Sequence, residues 1–204
     1  MIRVKICGIT SPEDALAAAE LGASAIGLLF WPDSPRCVER EQARRIVAAL
    51  PPFVSAVGVF VDQIDEAEEI GAELGLAAVQ FHGDEPPAAY RGFPIPVIKS
   101  VAVRDESAVD AAAAVPAGTT VLLDACDRVR RGGTGQVIDW TIAAAIARER
   151  RTILSGGLSP LNAAAAVAAV RPYAIDVSSG VEAAPGRKDH ARMRDLFAAL
   201  AERA

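Results

Sequence analysis

A chain of 204 residues with a hydrophobic fraction of 51% is long enough to bury a substantial core and too apolar to be disordered. Its formal net charge of -5, with no extended run of Lys or Arg, excludes the basic footprint of a nucleic-acid partner. Three widely separated cysteines outside any CxxC spacing, and only two histidines, argue against a disulfide framework and against a thiolate or histidine metal site, so no metal is expected. Arg3 and Lys5 interrupt the N-terminus before a signal-peptide core can form, and no other apolar run reaches the roughly 18 residues of a membrane span. A cytoplasmic protein with no membrane partner is expected.

Ile2, Val4 and Ile6 alternate with Arg3, Lys5 and Cys7, the period of a β-strand, and Gly8 ends it. A thiol therefore sits at the strand's carboxyl end. Ser11 is placed to cap a helix with Pro12 at its first position and Asp14 near its positive end; the helix runs through Ala15 to Leu21 and closes at Gly22. The rest of the chain repeats this unit. Ala25 to Phe30 is an apolar second strand, and a polar loop from Trp31 to Cys37 leads to a helix over Arg44 to Leu50. Val54 to Val61 reads as a strand, and Asp65 to Leu74 as a helix stopped at Gly75.

A short strand, Ala77 to Phe81, ends at His82-Gly83, and Asp84-Glu85-Pro86 opens another helix. Val97 to Val101 is the fifth strand, Ser107 to Ala114 an alanine-rich helix, and Thr120 to Asp124 the sixth strand, which also ends in a polar residue. The arginine-rich stretch Arg128 to Arg131 adjoins the glycine-rich loop Arg131 to Gly135, which leads to Asp139-Trp140 and a helix to about Arg148. Thr152 to Ser155 runs into Gly156-Gly157, and Ser159-Pro160 caps a seventh helix. Ala174 to Val177 runs into Ser178-Ser179-Gly180, and Asp189 to Glu202 is a last amphipathic helix.

Eight strand-helix units without a composition break point to one α/β domain over residues 1–204, a closed (β/α)8 TIM barrel. An open doubly wound sheet is the weaker alternative, because no GxGxxG turn follows the first strand. In such barrels the reactive groups come from the carboxyl ends of the strands and the loops beyond them. That rule brings Cys7, Arg36, His82, Asp124, Gly156-Gly157 and Asp176 with Ser178-Ser179-Gly180 to one mouth. Glycine-rich turns after the seventh and eighth strands suit a phosphate, since they expose backbone N–H groups beside positive helix ends. Cys7 is a candidate nucleophile or base, or a small apolar filler. Asp124 and Asp176 close apolar strands and need a partner or a task, whereas Arg36 suits either a carboxylate fork or a surface ion pair. His82 alone fits a histidine bonded to backbone.

Taken together, Lys5-Ile6-Cys7-Gly8-Ile9-Thr10, Ser34-Pro35-Arg36, Gln80-Phe81-His82-Gly83, Leu123-Asp124 with Gly132-Gly133-Thr134-Gly135, Ser155-Gly156-Gly157-Leu158 and Asp176 to Glu182 closely resemble the phosphoribosylanthranilate isomerases of tryptophan biosynthesis. The likeness runs from Lys5 to about Asp189. It implies an Amadori rearrangement of a phosphorylated small molecule, N-(5-phosphoribosyl)anthranilate, with no cofactor. It further implies Cys7 as general base, Asp124 as general acid, Arg36 on the anthranilate carboxylate, and backbone amides around Gly157, Ser179 and Gly180 on the phosphate. Asp176 and His82 match positions near the ligand without a firm role. Cys126, Cys37 and the oligomeric state, monomer or homodimer, are left unassigned by the resemblance.

A thiol of ordinary pKa about 8.5 resists ionisation at pH 7 by roughly 2 kcal/mol, and an aspartate near 3.9 resists protonation by roughly 4 kcal/mol. Lys5, on the same strand face as Cys7, is the expected cation that offsets the apolar mouth at the thiol. The rival readings are a bifunctional isomerase that also serves histidine biosynthesis and a barrel that binds phosphate without catalysis.

Overall fold

The computed structural model describes residues 2–125 and 138–201. The expected loop from Arg131 to Gly135, the basic stretch Arg128 to Arg131 and Cys126 lie outside them. Eight parallel strands form the wall: β1 (Arg3–Cys7), β2 (Ala25–Leu29), β3 (Ser55–Phe60), β4 (Ala78–Phe81), β5 (Val97–Ala102), β6 (Thr120–Asp124), β7 (Thr152–Leu154) and β8 (Ala174–Val177). Each pairs with the next, and β8 pairs back onto β1 through Lys5 opposite Asp176, so the sheet closes into a barrel. The open-sheet alternative is thereby excluded.

Around it run α1 (Pro12–Glu20), α2 (Arg40–Ala49), α3 (Ile64–Leu74), α4 (Pro87–Tyr90), α5 (Ser107–Ala114), α6 (Trp140–Glu149), α7 (Ala163–Val170) and α8 (His190–Ala201). Ser11 caps α1 as expected, its hydroxyl accepting from the Asp14 amide at 3.2 Å, and Asp139 caps α6 through the Thr141 amide at 2.7 Å. Two helices depart from expectation. The fourth is a single turn opened by Pro86 and Pro87 and stopped as the chain turns again at Gly92, at φ 76°. The seventh begins at Ala163 because Ser159 to Asn162 form a separate turn, in which the Asn162 side chain accepts from the Ser159 amide at 2.8 Å. A hairpin not foreseen from sequence, β9 (Glu182–Ala184) and β10 (Arg187–Lys188), follows a 3₁₀ turn at Ser179–Val181.

Alternation within the strands divides the side chains between two cores. Outward residues such as Val4, Ile6, Phe60, Phe81 and Leu123 pack against the helices. Inward residues Val57, Ile98, Leu122, Ile153 and Ala174, from different strands, meet inside the barrel as a small apolar plug. Two residues further along β6 and β8, on the same inward face, come Asp124 and Asp176. The two carboxyl groups therefore sit directly on the plug. Among the described residues no helix is long and apolar enough to cross a membrane.

Candidate active site

A cavity of about 510 Å³ opens at the carboxyl ends of the strands, and Cys7, Arg36, His82, Asp124 and Asp176 all line it. Leu29, Trp31, Pro35, Val59 and Val61 give it an apolar wall beside Arg36. A small cavity lined by Gly156, Gly157 and Ser179 adjoins it and shares Asp124, Ser155, Asp176 and Ser178 with it. Gly156 and Gly157 both adopt the left-handed conformation, at φ of 84° and 63°, which a side chain would strain. Gly180 lines neither cavity but sits against the seventh loop, where a Cβ would lie 2.0 Å from the Leu158 carbonyl oxygen. A larger cavity of about 670 Å³ lies at the other end of the barrel, between α5 and α6. Its lining is mostly small and apolar, with Glu149, Arg150 and Arg151 as its charged groups.

Lys5 is buried and central. Its ammonium donates to Asp176 Oδ1 at 2.9 Å and to Gln80 Oε1 at 3.0 Å. Gln80 Nε2 lies 3.1 Å from His82 Nδ1, and His82 Nε2 lies 3.2 Å from Asp124 Oδ2. A continuous row of polar contacts thus crosses the barrel from β8 through β1 and β4 to β6. Burial lowers the affinity of Lys5 for its proton, but the charges of Asp176 and Cys7 overcome this and raise its pKa.

The Cys7 thiol is pushed above its ordinary value, first by burial and then by the Asp176 carboxylate, with Lys5 and Lys188 pulling the other way. Lys5 is therefore the cation expected at this thiol, yet it is shared with Asp176 and does not bring the thiol below its ordinary range. Cys7 and Cys37 both carry free thiols.

Arg36 carries an interaction that sequence did not suggest. Its Nε donates to Glu182 Oε1 at 2.8 Å and its Nη2 to Oε2 at 2.7 Å, a two-bond fork. Lys188 Nζ reaches the same carboxylate at 2.8 Å. Burial opposes the Glu182 charge, but the bonds from Arg36 and Lys188 outweigh it and hold the carboxyl below its ordinary value. Burial lowers Lys188. One buried carboxylate between the half-buried Arg36 and the buried Lys188 leaves this triad with one positive charge in excess beside the apolar wall. Gln80, Glu182 and Lys188 went unassigned in the sequence; the available signals were a polar residue two before a strand-end histidine and charges flanking the Gly186 turn.

The family profile described as N-(5'phosphoribosyl)anthranilate (PRA) isomerase matches residues 4–199. The N-(5'-phosphoribosyl)anthranilate isomerase of Trichlorobacter lovleyi is 49% identical over 199 residues, covering 97% of this chain and 97% of the relative. The crystal structure of phosphoribosyl anthranilate isomerase from Thermotoga maritima superposes with a TM-score of 0.92 at 42% identity, covering 99% of this chain and 100% of that one. A phosphoribosyl anthranilate isomerase in complex with reduced 1-(O-carboxyphenylamino)-1-deoxyribulose 5-phosphate gives 0.88 at 40% identity, with 99% and 100% covered. By profile, identity and fold, the chain belongs to the N-(5'-phosphoribosyl)anthranilate isomerase family of enzymes.

Proposed function

We propose that the protein converts N-(5-phosphoribosyl)anthranilate into 1-(2-carboxyphenylamino)-1-deoxyribulose 5-phosphate in tryptophan biosynthesis, with Asp124 as general acid and Cys7 as general base. The observation that carries this reading is that a thiol and a carboxyl group line one cavity, with an arginine beside an apolar wall and glycine loops at its edge. The Glu182 fork occupies Nε and one hydrogen of Nη2, so Nη1 and the second Nη2 hydrogen are left for the anthranilate carboxylate. The wall from Leu29 to Val61 takes the aryl ring. Backbone amides at Gly157, Ser179 and Gly180, with Gly156 shaping the turn, take the phosphate.

Asp124 gives its proton to the ribose ring oxygen while the anilinic nitrogen's lone pair forms the C1 imine, and the ring opens. Cys7 as thiolate then takes the proton from C2, its electron pair moves toward the imine, and the resulting enolamine tautomerises to the ketone. Because burial raises the thiol above its ordinary value, ionising it at neutral pH is uphill, and Lys5 and Lys188 are the groups that limit this cost. Cys7→Ala and Asp124→Ala are each expected to lower turnover, followed by anthranilate fluorescence, by roughly 10²–10⁴-fold while the melting temperature stays close to wild type. Wild-type rates in both variants would remove the mechanism.

A further inference from the structure

We propose that Gln80 is a positioning residue that fixes the tautomer of His82 and thereby decides which oxygen of Asp124 carries the acid proton. The proposal rests on reading Asp124 as the general acid. Its geometry stands apart from that reading.

An ammonium group can only donate, and Lys5 donates to Gln80 Oε1 at 3.0 Å. This settles the amide's orientation, which shape alone leaves ambiguous. The amide nitrogen consequently faces His82 Nδ1 at 3.1 Å, and an amide NH₂ group also only donates. Nδ1 must then hold a lone pair, so His82 is neutral with its proton on Nε2. That N–H faces Asp124 Oδ2 across 3.2 Å, which favours the acid proton on Oδ1. An imidazolium at position 82 would set two donors against each other at Nδ1 and would pair with an ionised Asp124, removing the acid from its protonated form. Gln80, 1% exposed, opposes that state. The same Lys5 also touches Asp176, whose carboxylate acts on Cys7, so acid and base are set by one directed row.

The chain has two histidines, so the ring nitrogens of His82 can be read directly by ¹⁵N-edited NMR, with assignment by a His190→Gln variant. At pH 7.5 His82 is expected to show an unprotonated Nδ1 and a protonated Nε2; the opposite tautomer, or an imidazolium, overturns the proposal. Gln80→Glu places an acceptor at Nδ1 and should move a proton onto it, whereas an unchanged spectrum counts against directional control. Gln80→Met, of similar volume but without either polar group, should lower kcat roughly 10–100-fold with KM within about twofold. A rise in KM alone overturns the positioning role. Should Asp124→Ala retain activity while the His82 spectrum is as expected, the general-acid reading fails and the tautomer assignment stands.

Discussion

Gly27 lies opposite Cys7 in the β1–β2 register, and a Cβ there would fall 2.7 Å from the Cys7 sulfur and 3.1 Å from Lys5 Cε. The thiol and the ammonium stem both occupy space that a side chain on β2 would take. Gly27→Ala is expected to displace them, lowering turnover roughly 10–100-fold and changing the pH at which Cys7 is alkylated, with overpacking costing about 1–3 kcal/mol of stability. Peptide mapping is needed to separate Cys7 from Cys37 and Cys126, and a variant with wild-type rate and titration removes the idea. Single residues were legible in the sequence where period 2 carried them: Cys7, Asp124 and Asp176 each end an inward-facing alternation. Gln80 was not, because its role depends on Lys5, 75 residues away, and periodicity says nothing about which strands oppose each other across a barrel.

At the scale of elements, β9 and β10 hold the Arg36 loop to the first strand's loop. Thr10 Oγ1 donates to the Gly186 carbonyl, the Lys188 amide donates to Asp14 Oδ2 at 2.9 Å, and Glu182 holds both Arg36 and Lys188. The Glu182 carboxyl is held below its ordinary value, so the stability it contributes is present above the unfolded pKa near 4.5 and lost as pH falls through the folded value. Glu182→Gln is therefore expected to be less stable by about 3 kcal/mol at pH 7, with the gap closing below pH 4.5, and to raise KM more than it lowers kcat. Parallel stability curves for the two proteins across that range would contradict the assignment. The strands and most helices were readable from hydrophobic period and caps, but strands of three and two residues are too short to show any period. Helix α7 was misjudged at its start because Ser159-Pro160 resembles a cap, while the asparagine three residues on makes the turn.

At the scale of the whole molecule, the amino-terminal end of the barrel carries Phe53, 97% exposed in the loop between α2 and β3. Covering such a ring against a second copy of the chain would be worth about 1.5–3 kcal/mol, at the end of the barrel opposite the cavity that Cys7 and Asp124 line. Light scattering is expected to give twice the 21.2 kDa chain mass, and Phe53→Asp to give the single mass with turnover retained. A wild-type protein that scatters as one chain at micromolar concentration ends this expectation. The barrel class was legible in the eightfold repetition, whereas assembly was not, since one exposed ring has no sequence signature. Lys5 and Asp176 stand 171 residues apart in the chain. A ribosome-bound polypeptide that has not yet emitted its final strand must carry an ammonium with no carboxylate to meet it. The ion pair thus acts as a check on completeness: truncated products cannot seal their wall around a half-built site, and the Cys7 sulfur meets the Lys5–Asp176 pair only when synthesis is nearly done.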